Sequence, residues 1–208
     1  MLSNDNKILK GMNTKLKIIA ELEKRHNGVH LREISRIVKS GLPNIKRFLE
    51  ILEKEKVVRR EKEANLVKFQ LKAGQKTLAY LKQVNIEKFI ALPIKIQNAI
   101  TEFLDELENR PLIALIFGSY SKENYTKESD IDILLVFQKV ENSKIIENTA
   151  KRIGMRTNTK ISPIYIEYKS FEKNFLNKEH DFSREIRQDV IVISGVENYY
   201  TLLWRFLS

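Results

Sequence analysis

Residues 112–137 read LIALIFGSYSKENYTKESDIDILLVF, and this stretch decides the architecture of the C-terminal half of the chain. Residues 112–117 form an apolar run closed by Pro111 on one side and Gly118 on the other, the pattern of a short strand covered on both faces. Residues 131–137 are a second such run, interrupted only by Asp132. Gly118-Ser119 therefore falls where one strand ends, and Asp130 and Asp132, two apart at the start of the next, share a face. Two carboxylates so placed repel unless a positive charge sits between them, and hard oxygen donors suit Mg²⁺ or Mn²⁺. Glycine lets a backbone approach a phosphate closely, while the Ser119 hydroxyl and the following amides can donate to phosphate oxygens. The stretch predicts a nucleoside triphosphate, with its metal, bridging the turn and the two aspartates. Asp-x-Asp alone is more often a solvated strand end; the Gly-Ser placed ahead of it carries the expectation.

Segment 118–136, GSYSKENYTKESDIDILLV, resembles the GS-x10-DxD motif of the minimal nucleotidyltransferases. These belong to the DNA polymerase β-like superfamily, which includes the antitoxin half of HEPN/MNT pairs. The resemblance extends over about residues 94–208. It implies a small mixed sheet with helices packed on it, and metal-dependent transfer of a nucleoside monophosphate from a triphosphate to a hydroxyl, releasing pyrophosphate. By the same resemblance Gly118 and Ser119 hold the triphosphate, and Asp130 and Asp132 are the catalytic metal ligands. Ser129 matches the residue that commonly precedes the first aspartate. Lys122 falls where the family often has an arginine and can meet a phosphate as a point charge, its alternative being a solvated loop lysine.

The chain departs from the family on the following strand. A third carboxylate usually stands there, in a Val-Asp-Leu-Val pattern after a basic residue, where it completes the metal site and takes the proton of the attacking hydroxyl. The matching residues 160–167 read KISPIYIE, with Ser162 at the carboxylate position. Serine is a weak neutral ligand and no general base near neutral pH, so second-metal binding and nucleophile activation are both in question. Glu167, the nearest acid, lies five residues on and points to the opposite face of a regular strand, unless a bulge near Pro163 re-aims it.

Charge divides the chain. Residues 1–92 hold 21 Lys/Arg against 10 Asp/Glu, a net +11, whereas residues 93–208 hold 16 against 17, a net −1. So basic a segment prefers polyanions, most often nucleic acid. Its pattern agrees: Leu16, Ile19, Ala20 and Leu22 at helical spacing, a second short helix from His30 to Val38, a turn at Lys39-Ser40-Gly41-Leu42, and a third helix opened by Pro43. Ile45, Phe48, Leu49 and Leu52 form the apolar stripe of that helix, leaving Asn44, Lys46, Arg47 and Glu50 outside. A hairpin follows, with Val57-Val58-Arg59-Arg60, a polar tip over residues 61–65, and Val67-Lys68-Phe69-Gln70-Leu71 in strict alternation. Residues 12–72 are thus similar to the winged helices of bacterial and archaeal transcription regulators. That likeness implies contacts to double-stranded DNA from Ser40, Asn44, Lys46 and Arg47 in the major groove, and from Arg59, Arg60 and Lys62 on the wing. Dimerisation, or a merely solvated basic face, is the alternative.

The expected class is α+β. A winged helix-turn-helix over residues 1–72 is joined by a helical linker, 73–93, to a mixed-sheet nucleotidyltransferase-like domain, 94–208. A helix in the linker could pair two copies as a homodimer. Residues 182–188 are expected to be helical and residues 190–193 a strand, ended by Gly195. The aromatics Tyr199, Tyr200, Trp204 and Phe206 beyond it suit core packing more than base stacking. His26, His30 and His180 make no metal-ligand pattern, and Gly118-Ser119 lacks the flanking glycine of a hydrolase nucleophile elbow.

With no cysteine the chain has neither disulfides nor thiolate metal sites. No signal peptide and no apolar run near 18 residues is present, so a soluble cytoplasmic protein without membrane contact is expected. Three functions remain open at this level. One is an Mg²⁺-dependent nucleotidyltransferase targeted or regulated by a DNA-binding winged helix. A second is a DNA-binding transcriptional regulator whose transferase fold, impaired by Ser162, senses nucleotide. The third is an antitoxin acting on a toxin partner.

Overall fold

The computed structural model describes residues 11–63 and 66–208; the expected features at residues 1–10, and at Ala64-Asn65 in the hairpin tip, lie outside the described residues. Two compact units divide the chain, with the boundary between Glu87 and Lys88.

The first unit opens with helix α1, Thr14–Lys24, whose first turn is capped by the Asn13 side chain accepting from the Leu16 amide at 3.0 Å. A two-residue strand β1, Val29–His30, leads into α2, Leu31–Val38, and after a left-handed turn at Lys39 into α3, Leu42–Lys54. Strands β2, Val58–Glu63, and β3, Leu66–Leu71, form a hairpin, and β1 adds antiparallel to β3, giving the order β1-β3-β2. Ile19, Ile34, Ile45, Leu49, Leu52 and Phe69 are buried in the core that these elements share.

Two expectations change here. His30 is not helical: it pairs with Lys68, and its Nδ1 lies 3.0 Å from the Val67 carbonyl oxygen, because sheet pairing supplies backbone partners that the first turn of a helix leaves unsatisfied. Residues 61–63, assigned to the hairpin tip, continue β2 in register with residues 66–68. Pairing so far out on the hairpin puts Arg59 and Arg60 on opposite faces, since successive strand residues do not share one. Helix α4, Gln75–Ile90, buries Leu78, Leu81 and Val84 and crosses the boundary between the units, so the residues read as a linker form part of a continuous helix.

The second unit is a four-stranded mixed sheet with helices. After α5, Ile94–Asp105, come β4, Ile113–Ile116, the single-turn α6, Gly118–Ser121, and β5, Ile131–Phe137. Helix α7, Ser143–Thr157, crosses over to β6, Ile161–Glu167; α8, Tyr168–Leu176, α9, Asp181–Ile186, β7, Ile191–Ser194, and α10, Val196–Leu207, follow. Strand order is β6-β5-β4-β7, parallel between β5 and β6 and antiparallel elsewhere. Residues 113–117 and 133–137 are all buried, as their unbroken apolar runs require. Pro163 is tolerated because β6 is an edge strand. Gly195 turns the chain from β7 into α10 with φ +71°, where an added β-carbon would sit 1.9 Å from the Leu112 carbonyl oxygen, so only glycine fits. Tyr199 and Tyr200 are 1% exposed, their rings 5.0 Å apart and edge to face, which makes them core residues.

Candidate active site

The register of β5 and β6 brings the chemistry together. Asp132 lies opposite Ser162, and the Ile131 amide donates to the Lys160 carbonyl at 2.7 Å, which sets Lys160 beside Asp130. Alternate residues of a strand share a face, so Asp130, Asp132, Lys160 and Ser162 crowd one side of the sheet at the start of the parallel pair. Lys160 Nζ lies 2.5 Å from Asp130 Oδ2, and the Ser162 hydroxyl donates to the same oxygen at 3.2 Å.

From the other side the turn after β4 closes on Asp132. The Phe117 amide donates to the Asp132 carbonyl at 3.1 Å, and Gly118, at φ +69°, faces the carboxylate so closely that a β-carbon there would lie 2.3 Å from Oδ2. Ser119 follows, half-buried, on α6. Strand end, glycine turn and carboxylate thus form one packed unit, and any larger residue at 118 displaces the carboxylate.

The electrostatics follow from this crowding. Burial pushes the Asp132 carboxyl above its ordinary value, and Asp130 and Glu185 add to the shift, while Lys160 and Lys122 oppose it. The ammonium of Lys160 is held above its usual value by its hydrogen bond to Asp130. The positive charge that repelling carboxylates demand is therefore supplied in part by the chain itself.

The remaining expected site residues are placed as follows. Lys122 pairs with Glu185 on α9 at 2.5 Å. Ser129 shapes the loop before β5, its hydroxyl accepting from the Thr126 amide at 2.9 Å. Glu167 lies at the far end of β6 opposite Phe137, with Oε1 3.3 Å from the Val140 amide, five residues along from the aspartate pair. An open cleft of about 780 Å³ adjoins the cluster, lined by Tyr120, Tyr125, Ser129 and Lys160 together with Lys95 and Ile96. Tyr120 and Tyr125 stack at 4.5 Å on its wall. That volume suits a small-molecule ligand.

Lys160 and Glu185 were not singled out from the sequence. Lys160 had a signal, standing two residues before Ser162 where alternation places both on one face. Glu185 had none, because a six-residue helix more than 50 positions from Asp132 in sequence brings it in. Among the described residues no group of three His, Asp or Glu side chains is placed to hold a metal ion. The donor set that remains, Asp130 and Asp132, suits a single hard divalent cation.

In the first unit, Lys46 and Arg47 are exposed on α3, and three of the named residues are linked to one another. Arg47 donates to Asn44 Oδ1 at 3.1 Å and Asn44 donates to the Ser40 hydroxyl at 2.9 Å, while the Arg47 guanidinium lies 4.9 Å from the Phe48 ring centroid. Arg59 bonds Gln70 and Glu61, each at 2.9 Å, and Arg60 bonds Glu53 on α3 at 2.5 Å. Lys62 is exposed. Of the residues expected at the major groove, Ser40, Asn44 and Arg47 are thus linked, whereas those expected on the wing are split between two faces.

Comparison with known proteins agrees with the geometry of the second unit. Residues 98–193 match the family described as Polymerase beta, Nucleotidyltransferase. A Methanocaldococcus jannaschii protein named as a putative protein adenylyltransferase is 32% identical over 76 residues, which cover 35% of this chain and 75% of that protein. No solved structure gave a significant match. Among the described residues no helix is long and apolar enough to cross a membrane. With the Gly-Ser turn packed against the Asp-x-Asp pair on a mixed sheet, and with these two matches, the chain belongs to the polymerase β-type nucleotidyltransferase family.

Proposed function

We propose that this chain transfers a nucleoside monophosphate from a nucleoside triphosphate to a hydroxyl acceptor, and that its first unit binds double-stranded DNA. The packing of Gly118 against Asp132 carries the first part, because it joins the phosphate-binding turn to the carboxylates in one rigid element. Gly118 and Ser119 receive the triphosphate, Lys122 and Lys160 offer it positive charge, and the cleft beside Tyr120 accommodates the rest of the nucleotide. Asp130 and Asp132 would hold Mg²⁺ or Mn²⁺, which screens phosphate charge and polarises the transferred phosphoryl group. The name of the archaeal relative favours ATP as donor and a protein hydroxyl as acceptor, the chemistry that action on a toxin would also use.

The +11 net charge of residues 1–92 and the exposed Lys46 and Arg47 support DNA binding by the first unit. A homodimer, which palindromic half-sites would match, is part of the same reading.

One observation favours a second reading. Ser162 replaces the carboxylate expected on β6 and spends its hydroxyl on Asp130, which leaves no base on that strand beside the aspartates for an acceptor hydroxyl. A transcriptional regulator that senses nucleotide without turning it over fits that arrangement.

Both readings are tested together by binding of labelled ATP, GTP, CTP and UTP with Mg²⁺ or Mn²⁺ to wild type and Asp132→Ala. Pyrophosphate release is followed in the same samples, with and without cell extract or DNA. Aspartate-dependent release is expected for a transferase; binding without release is expected for a sensor; absence of both overturns nucleotide recognition.

A further inference from the structure

We infer that the site takes one divalent cation rather than two, with the Lys160 ammonium standing in for the second. The inference rests on the nucleotidyl-transfer reading and concerns how charge is supplied within it. Two ions held about 4 Å apart need acidic oxygens that bridge them and a third acid to anchor the outer ion. The third acid is missing, and one of the candidate bridging oxygens is already engaged. Asp130 Oδ2 already accepts from Lys160 at 2.5 Å and from Ser162 at 3.2 Å, so its lone pairs are directed at protein donors. The β6 position opposite Asp132 is Ser162, a neutral oxygen, and Glu167 is at the other end of the strand.

The ammonium is well suited to the substitution. Its side chain is 75% exposed, so packing does not tie the stem down and the ammonium can lie between the aspartates and a phosphate. It also lines the cleft, whereas Lys122 is engaged by Glu185. One ion and one ammonium give three positive charges against two carboxylates, which leaves a net positive site for a triphosphate.

The test counts Mn²⁺ on the full-length chain by paramagnetic resonance of the free ion. An ATP analogue with a methylene between its α- and β-phosphates is present, and bound nucleotide is measured by dialysis of the same samples. Wild type is expected to hold one Mn²⁺ per bound nucleotide and Ser162→Asp two. Without nucleotide, Lys160→Met is expected to bind its single Mn²⁺ roughly tenfold more tightly than wild type, because the competing ammonium is gone.

Two Mn²⁺ per nucleotide in wild type overturns the one-ion inference and leaves nucleotide recognition standing. Failure to bind nucleotide at all overturns both. If Ser162→Asp does not fold, as judged by circular dichroism, the Lys160→Met affinity decides alone, and an unchanged value overturns the inference.

Discussion

Gly118 and Asp132 fit against each other with no room for a side chain between them: a β-carbon on the glycine would lie 2.3 Å from the aspartate Oδ2. Gly118→Ala must either displace the carboxylate or straighten a turn held at φ +69°, a conformation costing a non-glycine residue about 1–3 kcal/mol. A loss of that size in chemical denaturation is expected, together with at least tenfold weaker nucleotide binding by dialysis. Unchanged binding in a folded Gly118→Ala protein would show that the turn does not meet the phosphates.

Asp132 gives a pH signature. Burial, then Asp130 and Glu185, raise its carboxyl above the ordinary range, so the fold favours the protonated form. Stability from this group is full below the unfolded value, about pH 4, and is lost as pH rises through the folded value. In the presence of a chelator, Asp132→Asn is expected to melt higher than wild type at pH 7, with the gap closing as pH falls toward 4. A melting temperature below that of wild type at pH 7 would contradict this placement of the charge.

Glu55 should behave with the opposite sign. Its carboxyl is held below the usual range by its hydrogen bond from Lys15, at 2.8 Å, with the Tyr80 hydroxyl adding another at 2.8 Å. The stabilisation is present above the unfolded value and is lost as pH falls through the lower folded one. Glu55→Gln is expected to cost about 1 kcal/mol at pH 7, given partial solvent exposure, and less at pH 3. Urea titrations at the two pH values decide it.

For the first unit, Lys46→Ala with Arg47→Ala is expected to weaken DNA binding and to lower the slope of log affinity against log salt by about 1.8, or ~0.9 for each phosphate that is no longer neutralised. Nucleotide binding should be unaffected, whereas Asp130→Ala should do the reverse. Fluorescence anisotropy across salt concentrations, beside nucleotide dialysis, measures both; parallel losses in either mutant would join functions assigned here to separate units.

Sequence alone determined what depends on near neighbours along the chain. The strand at residues 131–137 is legible because an apolar run has one plausible fate, and Asp130 and Asp132 share a face because strand side chains alternate. Glycine at 118 followed by serine marked the turn. The basic character of residues 1–92 is a count that no fold can alter. Local pattern misjudged His30, whose strand partner Lys68 is 38 residues away, and the hairpin tip, where pairing between 61–63 and 66–68 outweighs polarity. Tertiary structure alone decided the partners of the aspartates. Ser162 meets Asp130 through the parallel register of β5 and β6, and Glu185 meets Lys122 through a helix that closes late in the chain. Such contacts are set by packing between distant segments. The sequence therefore announced two carboxylates in need of a positive charge, and only the fold disclosed that a lysine of the same chain already supplies one.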